Sequence, residues 1–288
     1  MPCLFHADLH CHSRFSDGTL TPSELAQRAR ANGVTVWALT DHDETAGLAQ
    51  AQTAALAQGL DFLTGVEISV SFANTTVHIV GLGFDADNSA LQQGLHALRH
   101  SRGPRAQAMG QQLAAAGIPN AYAGALQYVG NPALISRTHF ARYLVDAGIC
   151  KDTYEVFRHY LVEGKPGYVP QRWASLEQAV RWITEARGVA VIAHPARYGF
   201  SPTEEYAFFS SFQSYGGQAV EVVTGSHAAH EYATYASMAK EFGLAASRGS
   251  DFHSLQESKV DLGGLPSDPA GLTSVWELLQ ARVVRAAP

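Results

Sequence analysis

The sequence predicts an α/β protein in which seven β/α units form a (β/α)7 barrel with one helical insertion. Short apolar segments alternate with amphipathic ones along most of the 288 residues, which indicates alternating strands and helices. Seven of the apolar segments are rich in Val, Ile, Leu or Phe, as buried strands are. This alternation predicts parallel strands with right-handed crossovers, and seven units fit a closed or nearly closed barrel better than an open sheet.

The predicted strands and helices have recognisable boundaries. In chain order, the strands cover residues 4–9, 34–40, 62–68, 77–82, 189–193, 219–223 and 244–247. Between them, Thr21 and Glu24 have the spacing of a capping box, with Pro22 at the first helical position. Ser175 and Gln178 repeat that spacing before a later helix.

Residues 88–169 break this alternation. They contain helical stretches at 91–99 and 105–116, joints rich in Gly, Pro and Asn, and no convincing strand repeat. We therefore expect a helical insertion over 88–169, between the fourth and fifth strands, with the barrel formed by 1–87 and 170–288. Loops that follow barrel strands lie over the catalytic mouth, so the insertion is expected to cap the active site.

The composition excludes some classes of function. The formal net charge is −6, which argues against a broad nucleic-acid-coating surface, so any nucleotide contact should be local. No run approaches 18 uninterrupted apolar residues, and the N-terminus shows no basic segment followed by an apolar one. The three cysteines have neither metal nor disulfide spacing. We expect a cytoplasmic protein with no membrane segment and no obligate protein partner.

Histidines and carboxylates recur where the predicted strands end. His10 and His12 are two residues apart at a strand end, so period-two alternation places both on one face. Asp251 and His253 repeat this arrangement after the seventh strand. The further candidates at strand ends are His42, Glu67, His78 and His194. Any one of them is weak evidence, but together they predict a polynuclear metal site and hence a metallohydrolase.

Short motifs in this chain resemble those of the PHP (polymerase and histidinol phosphatase) family and occur in the same order. They are DLHCHS at 8–13 with SDG at 16–18, TDHD at 40–43, GVE at 65–67, AHP at 193–195 and GSDFH at 249–253. The motifs span the whole predicted barrel, and linked motifs in order are highly specific. The resemblance implies a distorted (β/α)7 TIM-like barrel, which is the PHP fold.

The resemblance also implies a trinuclear metal site. Motif by motif, the first metal would take His10, His12, Glu67 and Asp251, the second Glu67, His78 and His194, and the third Asp17, His42 and His253. Some family members have histidine at the position of Asp17. The mixture of oxygen and imidazole ligands makes Mn²⁺ the first choice for the three divalent ions, with Fe²⁺ or Zn²⁺ as alternatives.

The implied ligands suit the hydrolysis of a phosphate ester. Closely spaced divalent ions lower the pKa of a shared water and stabilise the charge that develops on the phosphate, so the expected nucleophile is a metal-bound hydroxide. Asp41 and Asp43 flank His42 and are candidates for orienting it or for proton transfer, with a structural role at the strand end as the alternative. We keep Asp43 as the candidate for proton transfer.

Candidate substrate-binding residues lie in the insertion or at its exit. They are Arg102, Arg105, Ser136, Arg137 and Lys165. Cations and hydroxyls at these positions suit a second phosphate remote from the metals. For any one of them, a solvated helix face is the alternative interpretation.

Within the PHP family, the chain most resembles bacterial nucleotide phosphatases that carry a helical insertion. This resemblance implies hydrolysis of the 3′-phosphate of nucleoside 3′,5′-bisphosphates to give the 5′-nucleotide. The alternatives are 5′-3′ exoribonuclease activity on short RNA, a histidinol-phosphate-type phosphatase, and a non-catalytic PHP scaffold. The scaffold is the weakest alternative, because all nine expected ligand positions carry competent side chains. The expected partner is a small nucleotide, or short RNA under the exoribonuclease alternative.

Overall fold

The computed structural model describes residues 6–287, and its strands form one sheet that curls into a nearly closed barrel. The strands are β1 (Ala7–Asp8), β2 (Val36–Leu39), β3 (Asp61–Phe72), β4 (Thr75–Leu82), β5 (Ala174–Ser175), β6 (Val189–Ile192), β7 (Ala219–Thr224) and β8 (Ala245–Gly249). Their order in the sheet is β1-β2-β3-β4-β6-β7-β8, and the short β5 pairs with β3. Backbone hydrogen bonds between residues 9–12 and 248–252 bring β1 and its extension alongside β8. The predicted seven-stranded barrel is confirmed.

Strand β4 departs from the predicted parallel pattern, because it runs antiparallel to both β3 and β6. A two-residue turn joins β3 to β4, and both turn residues, Ala73 and Asn74, have positive φ angles of 46° and 61°. So short a turn permits only an antiparallel pair, since a parallel pair needs a crossover of a dozen or more residues. The expectation of uniformly parallel strands is therefore wrong at β4.

The two largest differences from the predicted strand boundaries are in β1 and β3. The predicted first strand covers 4–9, whereas β1 is Ala7–Asp8; residues 4 and 5 lie outside the described range. Strand β3 continues to Phe72, beyond the predicted end at 68, because the hairpin with β4 extends its pairing up to the turn.

Ten α-helices lie within residues 6–287. They are α1 (Pro22–Ala31), α2 (Leu48–Ala57), α3 (Ser89–Ala115), α4 (Ala121–Leu126), α5 (Arg137–Asp146), α6 (Thr153–Val156), α7 (Leu176–Glu185), α8 (Pro202–Ser214), α9 (Ala229–Glu241) and α10 (Trp276–Leu279). Turns of 3₁₀-helix occupy Pro132–Leu134, Pro195–Tyr198 and Gln280–Arg282, and a π-helical turn occupies Phe157–Leu161. The capping boxes predicted at Thr21 and Ser175 are confirmed at α1 and α7. None of the described helices is both long and apolar enough to cross a membrane.

Period-two alternation divides the strand residues between two buried layers. In β2, Val36 and Ala38 belong to a cluster to which every main strand contributes, which is the barrel interior. Trp37 and Leu39 belong to the cluster between the sheet and the helices. Close packing on both faces holds the strands in defined positions, and with them the residues that follow the strand ends.

Between β4 and β5, the described chain contains only helical elements and loops. Helix α3 begins against the barrel, where Leu91 and Leu95 join the cluster beneath the helices. Farther along α3, Met109 and Leu113 join a separate cluster that includes Phe140 of α5. Helix α3 thus connects the barrel to a group of helices with its own buried core.

Candidate active site

The nine residues predicted to bind metal converge at the ends of the barrel strands. His10, His12 and Asp17 follow β1, His42 follows β2, Glu67 and His78 lie within β3 and β4, His194 follows β6, and Asp251 and His253 follow β8. Every one of these residues has another of the nine within 4.0 Å. A cluster this dense in imidazole and carboxylate has the composition of a site for several divalent ions.

Glu67 lies at the centre of the cluster and is fully buried. Its Oε1 lies 2.8 Å from His78 Nδ1 and 2.9 Å from His194 Nε2. Its Oε2 lies 2.9 Å from His42 Nδ1 and 3.3 Å from His12 Nε2. Burial alone would raise the pKa of Glu67, but the surrounding imidazoles lower it well below its usual value. The carboxylate of Glu67 is therefore ionised. One of its oxygens faces His78 and His194, and the other faces His42 and His12.

The ligand atoms fall into four overlapping groups, each with atoms within 4.8 Å of one another. The groups are His12 with Asp17, His42 and His253; His10 with His12 and Asp251; His10 with Glu67 and His194; and His42 with Glu67 and His78. The grouping resembles the three sets implied by the motifs but is not identical to them. His12 also joins the set of Asp17, and His78 and His194 fall in different groups although both approach Glu67 Oε1.

The cluster also contains buried polar atoms that have no hydrogen-bond partner among the described residues. They include His12 Nδ1 and Asp17 Oδ1. Native proteins rarely leave buried polar groups unsatisfied, and an ion is one explanation for the exceptions. Burial, with the charges of His253 and His42, lowers the pKa of His12 to about 3, so its imidazole is neutral and can offer a lone pair to a cation. The residues therefore fit the divalent metals that the motifs imply.

Glu221 on β7 contacts the ring of one of these histidines and the backbone of another. Its Oε1 lies 2.8 Å from His10 Nδ1, and its Oε2 accepts a 2.7 Å hydrogen bond from the backbone N–H of His194. The contact with His10 holds the ring so that Nε2 faces the cluster, as outer carboxylates commonly do for metal-bound histidine. The available sequence signal is a carboxylate within the otherwise uncharged strand β7.

The two aspartates beside His42 have different surroundings. Asp41 accepts hydrogen bonds from Ser13 and from the Ser16 hydroxyl, at 2.6–2.7 Å, and so fixes the loop that carries Asp17. Asp43 has a positive φ of 51° and belongs to none of the four ligand groups.

Both carboxylate oxygens of Asp43 are already engaged. Oδ1 accepts a hydrogen bond of 2.8 Å from the backbone N–H of Ser69, and Oδ2 accepts one of 3.0 Å from the Ser69 hydroxyl and also pairs with Arg102. This geometry favours a role in positioning Arg102. A part for Asp43 in proton transfer stays a prediction.

A pocket beside the cluster is lined by metal-ligand candidates and by four arginines, Arg102, Arg105, Arg137 and Arg197. Of the residues predicted to bind substrate, Arg102, Arg105, Ser136 and Arg137 line this pocket. Lys165, which follows the π-helical turn, is exposed and does not line this pocket.

Arg197 was missed at the sequence level. Its Nη1 donates a 2.8 Å hydrogen bond to Asp251 Oδ2. The available signal was its position three residues after His194, in the 3₁₀ turn that follows β6.

Aromatic rings face three of the pocket arginines. The ring of Trp173 lies 4.8 Å from the Arg102 guanidinium carbon and 5.5 Å from that of Arg105, and Phe157 lies 5.7 Å from that of Arg137. Burial, with the charges of Arg137 and Arg102, lowers the pKa of Arg105 to about 9. The arginines crowd positive charge into a partly enclosed space, and a bound anion would relieve it.

Comparison with known proteins identifies the family. The model of the PHP domain matches residues 8–185, which include five of the nine ligand candidates on the strands and loops from β1 to β3 and the sixth on β4. The chain belongs to the PHP domain family. Its remaining three ligand candidates follow β6 and β8, beyond the matched range.

Two curated proteins extend the comparison over nearly the whole PHP chain. A 3′,5′-nucleoside bisphosphate phosphatase of Chromobacterium violaceum is 51% identical over 97% of this chain and 98% of its own length. A 5′-3′ exoribonuclease of Haemophilus influenzae is 41% identical over 85% of this chain and 89% of its own length.

A solved structure supports the same assignment. A putative metal-dependent phosphoesterase of Bifidobacterium adolescentis matches with a TM-score of 0.82 and 27% identity, over 99% of this chain and 98% of that one. Together with the ligand cluster, these relatives identify the PHP chain as a metal-dependent phosphoric monoester hydrolase that uses divalent metals.

Proposed function

We propose that the enzyme removes the 3′-phosphate from nucleoside 3′,5′-bisphosphates and leaves the 5′-nucleotide and inorganic phosphate. The observation that carries this proposal is a single pocket that combines metal-ligand candidates with four arginines. A substrate with two phosphates could place one at the metals and the other at cations away from them. The similarity to the C. violaceum phosphatase over 97% of the chain supports the same substrate.

The nine clustered residues would hold three divalent ions, with Mn²⁺ as the first choice. The ligands are His10, His12, Asp17, His42, Glu67, His78, His194, Asp251 and His253. When bound, such ions supply an activated water nucleophile and neutralise charge on the phosphate oxygens. Glu221 contributes by holding the His10 ring in its ligating orientation, and Asp41 contributes by holding the loop of Asp17.

Two of the arginines are suited to the remote phosphate. Arg105 donates to the carbonyl of Val169 at 2.9 Å and Arg137 to that of Leu161 at 3.4 Å, and neither pairs with a carboxylate within residues 6–287. Both can therefore offer further N–H donors to an anion without first breaking an ion pair. Charge-assisted hydrogen bonds of this kind are among the stronger polar contacts.

The other two arginines are tied to the catalytic end of the pocket. Arg197 donates to Asp251, a ligand candidate, and so reaches toward the phosphate that is hydrolysed. Arg102 is held by Asp43 and Ser69 and packs on Trp173. We infer that these two bind and orient the reacting phosphate. Binding of the remote phosphate at Arg105 and Arg137 then helps to hold the ester in the reactive position.

The helices of residues 88–169 would act as a cap in this scheme. Ser136, the residue before α5, has its hydroxyl 3.4 Å from Asp17 Oδ2, which places the insertion against the ligand cluster. A cap in this position excludes water from the pocket and strengthens the electrostatic interactions inside it.

The test compares kcat/KM of the Mn²⁺-loaded enzyme for adenosine 3′,5′-bisphosphate, adenosine 3′-phosphate, a short RNA and histidinol phosphate. We expect the bisphosphate to be the best substrate and adenosine 3′-phosphate to be poorer. A Glu67→Ala preparation, purified in parallel, controls for contaminating phosphatases and should be inactive. A clearly higher kcat/KM for short RNA or for histidinol phosphate would contradict the proposed substrate.

A further inference from the structure

A second groove continues from the active-site pocket. Five residues line both cavities: Thr138, Phe157, Arg197, Asp251 and His253. The groove is completed by α6 on one side and by the loops that follow β7 and β8 on the other. A ligand held at the metal-ligand candidates could therefore extend into this groove without leaving the protein surface.

An exposed aromatic side chain lies at the edge of the groove. Tyr154 on α6 is 75% exposed, and within the described residues its side chain makes no hydrogen bond or ring contact. Asp152 caps α6 by accepting a 2.8 Å hydrogen bond from the backbone N–H of Glu155, which fixes the backbone that carries Tyr154. Phe157, three residues later, lines the same groove, as expected for two residues on one helical face.

The groove differs from the first pocket in its charge. Among the residues that line it, Arg197 already donates to Asp251, and Glu257 is paired with Arg142 at 2.6–2.8 Å. The other cation of the lining is the exposed Lys259. Three of the pocket arginines, Arg102, Arg105 and Arg137, line only the first pocket. An uncharged part of a ligand is therefore better suited to the groove than a phosphate.

Hydroxyl groups supply polar contacts in the groove. The Ser258 oxygen accepts hydrogen bonds from the backbone N–H groups of His253 and Ser254, at 2.8 and 3.2 Å. A serine hydroxyl has one proton to donate, and both of these bonds use the oxygen only as an acceptor. Ser258 can thus donate to a ring nitrogen or a carbonyl oxygen of a ligand in the groove.

We propose that this groove binds the nucleobase of the substrate, which stacks on Tyr154 while Phe157 closes the inner end. The assignment rests on the proposed function, because it takes the substrate to be a nucleotide. In this arrangement, the two phosphates occupy the arginine-rich pocket, and the ribose lies against the residues that line both cavities. The base extends toward α6. Stacking tolerates any base, so the groove provides affinity for nucleotides with little base preference.

The test uses Tyr154→Ala, with Tyr154→Phe as the conservative variant and Tyr215→Ala as a matched control. Tyr215 is also exposed, but it follows α8 and does not line the groove. We expect Tyr154→Ala to lower kcat/KM for adenosine 3′,5′-bisphosphate by about 5-fold to 100-fold, the range for loss of one stacking contact. Hydrolysis of 1-deoxyribose 3,5-bisphosphate, which has no base, should not change. Tyr154→Phe and Tyr215→Ala should behave like the wild type on both substrates.

A binding measurement separates this proposal from the proposed function. Stacking quenches the fluorescence of 2-aminopurine, so 2-aminopurine riboside 5′-phosphate should be quenched by the wild-type enzyme and not by Tyr154→Ala. Quenching without hydrolysis of any bisphosphate would keep the groove assignment and overturn the proposed function. Efficient hydrolysis with no effect of Tyr154→Ala on either readout would overturn the groove assignment. So would an effect confined to short RNA, because the groove would then hold a second nucleotide.

Discussion

Glu221 contacts the ligand candidate His10 and belongs to none of the four ligand groups. We predict that Glu221→Gln lowers the affinity for Mn²⁺ by about 10-fold to 100-fold, since partners that orient ligating histidines have effects of this size. The measurement is activity as a function of Mn²⁺ concentration, and excess Mn²⁺ should restore most of the lost activity. Glu241→Gln, at the exposed end of α9, is the matched control. An unchanged Mn²⁺ dependence in Glu221→Gln would show that the carboxylate has only a structural role.

Arg137 pairs with no carboxylate within residues 6–287, and we predict that it distinguishes bisphosphate from monophosphate substrates. Arg137→Ala should lower kcat/KM for a nucleoside 3′,5′-bisphosphate by about 10-fold to 100-fold, because a charge-assisted hydrogen bond contributes about 1.5–3 kcal/mol. The same substitution should barely affect a monophosphate. Arg158→Ala, exposed in the same insertion, is the control, and Lys165→Ala should also have no effect because that residue lies outside the pocket. Equal losses on both substrates would place Arg137 at the reacting phosphate.

The residues that the sequence identified are those whose signal is local. His10, His12, Asp251 and His253 stand at strand ends in short motifs, so their chemistry could be predicted before their contacts were known. Glu221 is different, because its partner His10 is 211 positions away in the chain. Contacts of that kind depend on how the barrel closes, which no local pattern contains.

At the level of elements, an ion pair joins helix α5 of the insertion to the loop after β8. Arg142 on α5 donates two hydrogen bonds, of 2.8 and 2.6 Å, to Glu257 in the loop after β8. The Ser254 hydroxyl also donates to Glu257, at 3.0 Å, next to the ligand candidate His253. The pair therefore connects the position of α5 to the loop that carries part of the metal-ligand cluster.

A double-mutant cycle measures this connection. Arg142→Met and Glu257→Gln should show a coupling of about 1–3 kcal/mol in the free energy of unfolding, since the pair is bidentate and largely buried. Urea denaturation of the two single variants and the double variant gives the value. The exposed pair of Arg285 and Asp61 is the control, and its coupling should be below about 1 kcal/mol. Equal coupling in the two pairs would contradict a docking role for Arg142.

Helix ends could be predicted more reliably than strand direction. The capping boxes at Thr21 and Ser175 are fixed by side chains three residues apart, and both are present. The apolar pattern of β4 identified a strand but not its direction, because alternation is the same whichever way a strand runs. The information lay instead in the two residues between β3 and β4, Ala73 and Asn74, which are too few for a crossover.

Across the whole molecule, charge is distributed unevenly. The net charge of −6 predicted that nucleotide contacts would be local. In the structure, four arginines from α3, α5 and the turn after β6 meet in one pocket beside buried carboxylates, which is where we propose that the nucleotide binds. Composition gives the sum of the charges, and only the fold determines where they meet.

The central claim is that nine residues distant in sequence form one centre for several divalent ions. Elemental analysis of protein loaded with Mn²⁺ and freed of unbound metal tests it most directly. We predict about three Mn²⁺ ions per wild-type chain, the number that the family motifs imply, and substantially fewer in Glu67→Ala. No more than trace metal in the folded, loaded wild-type protein would contradict the account.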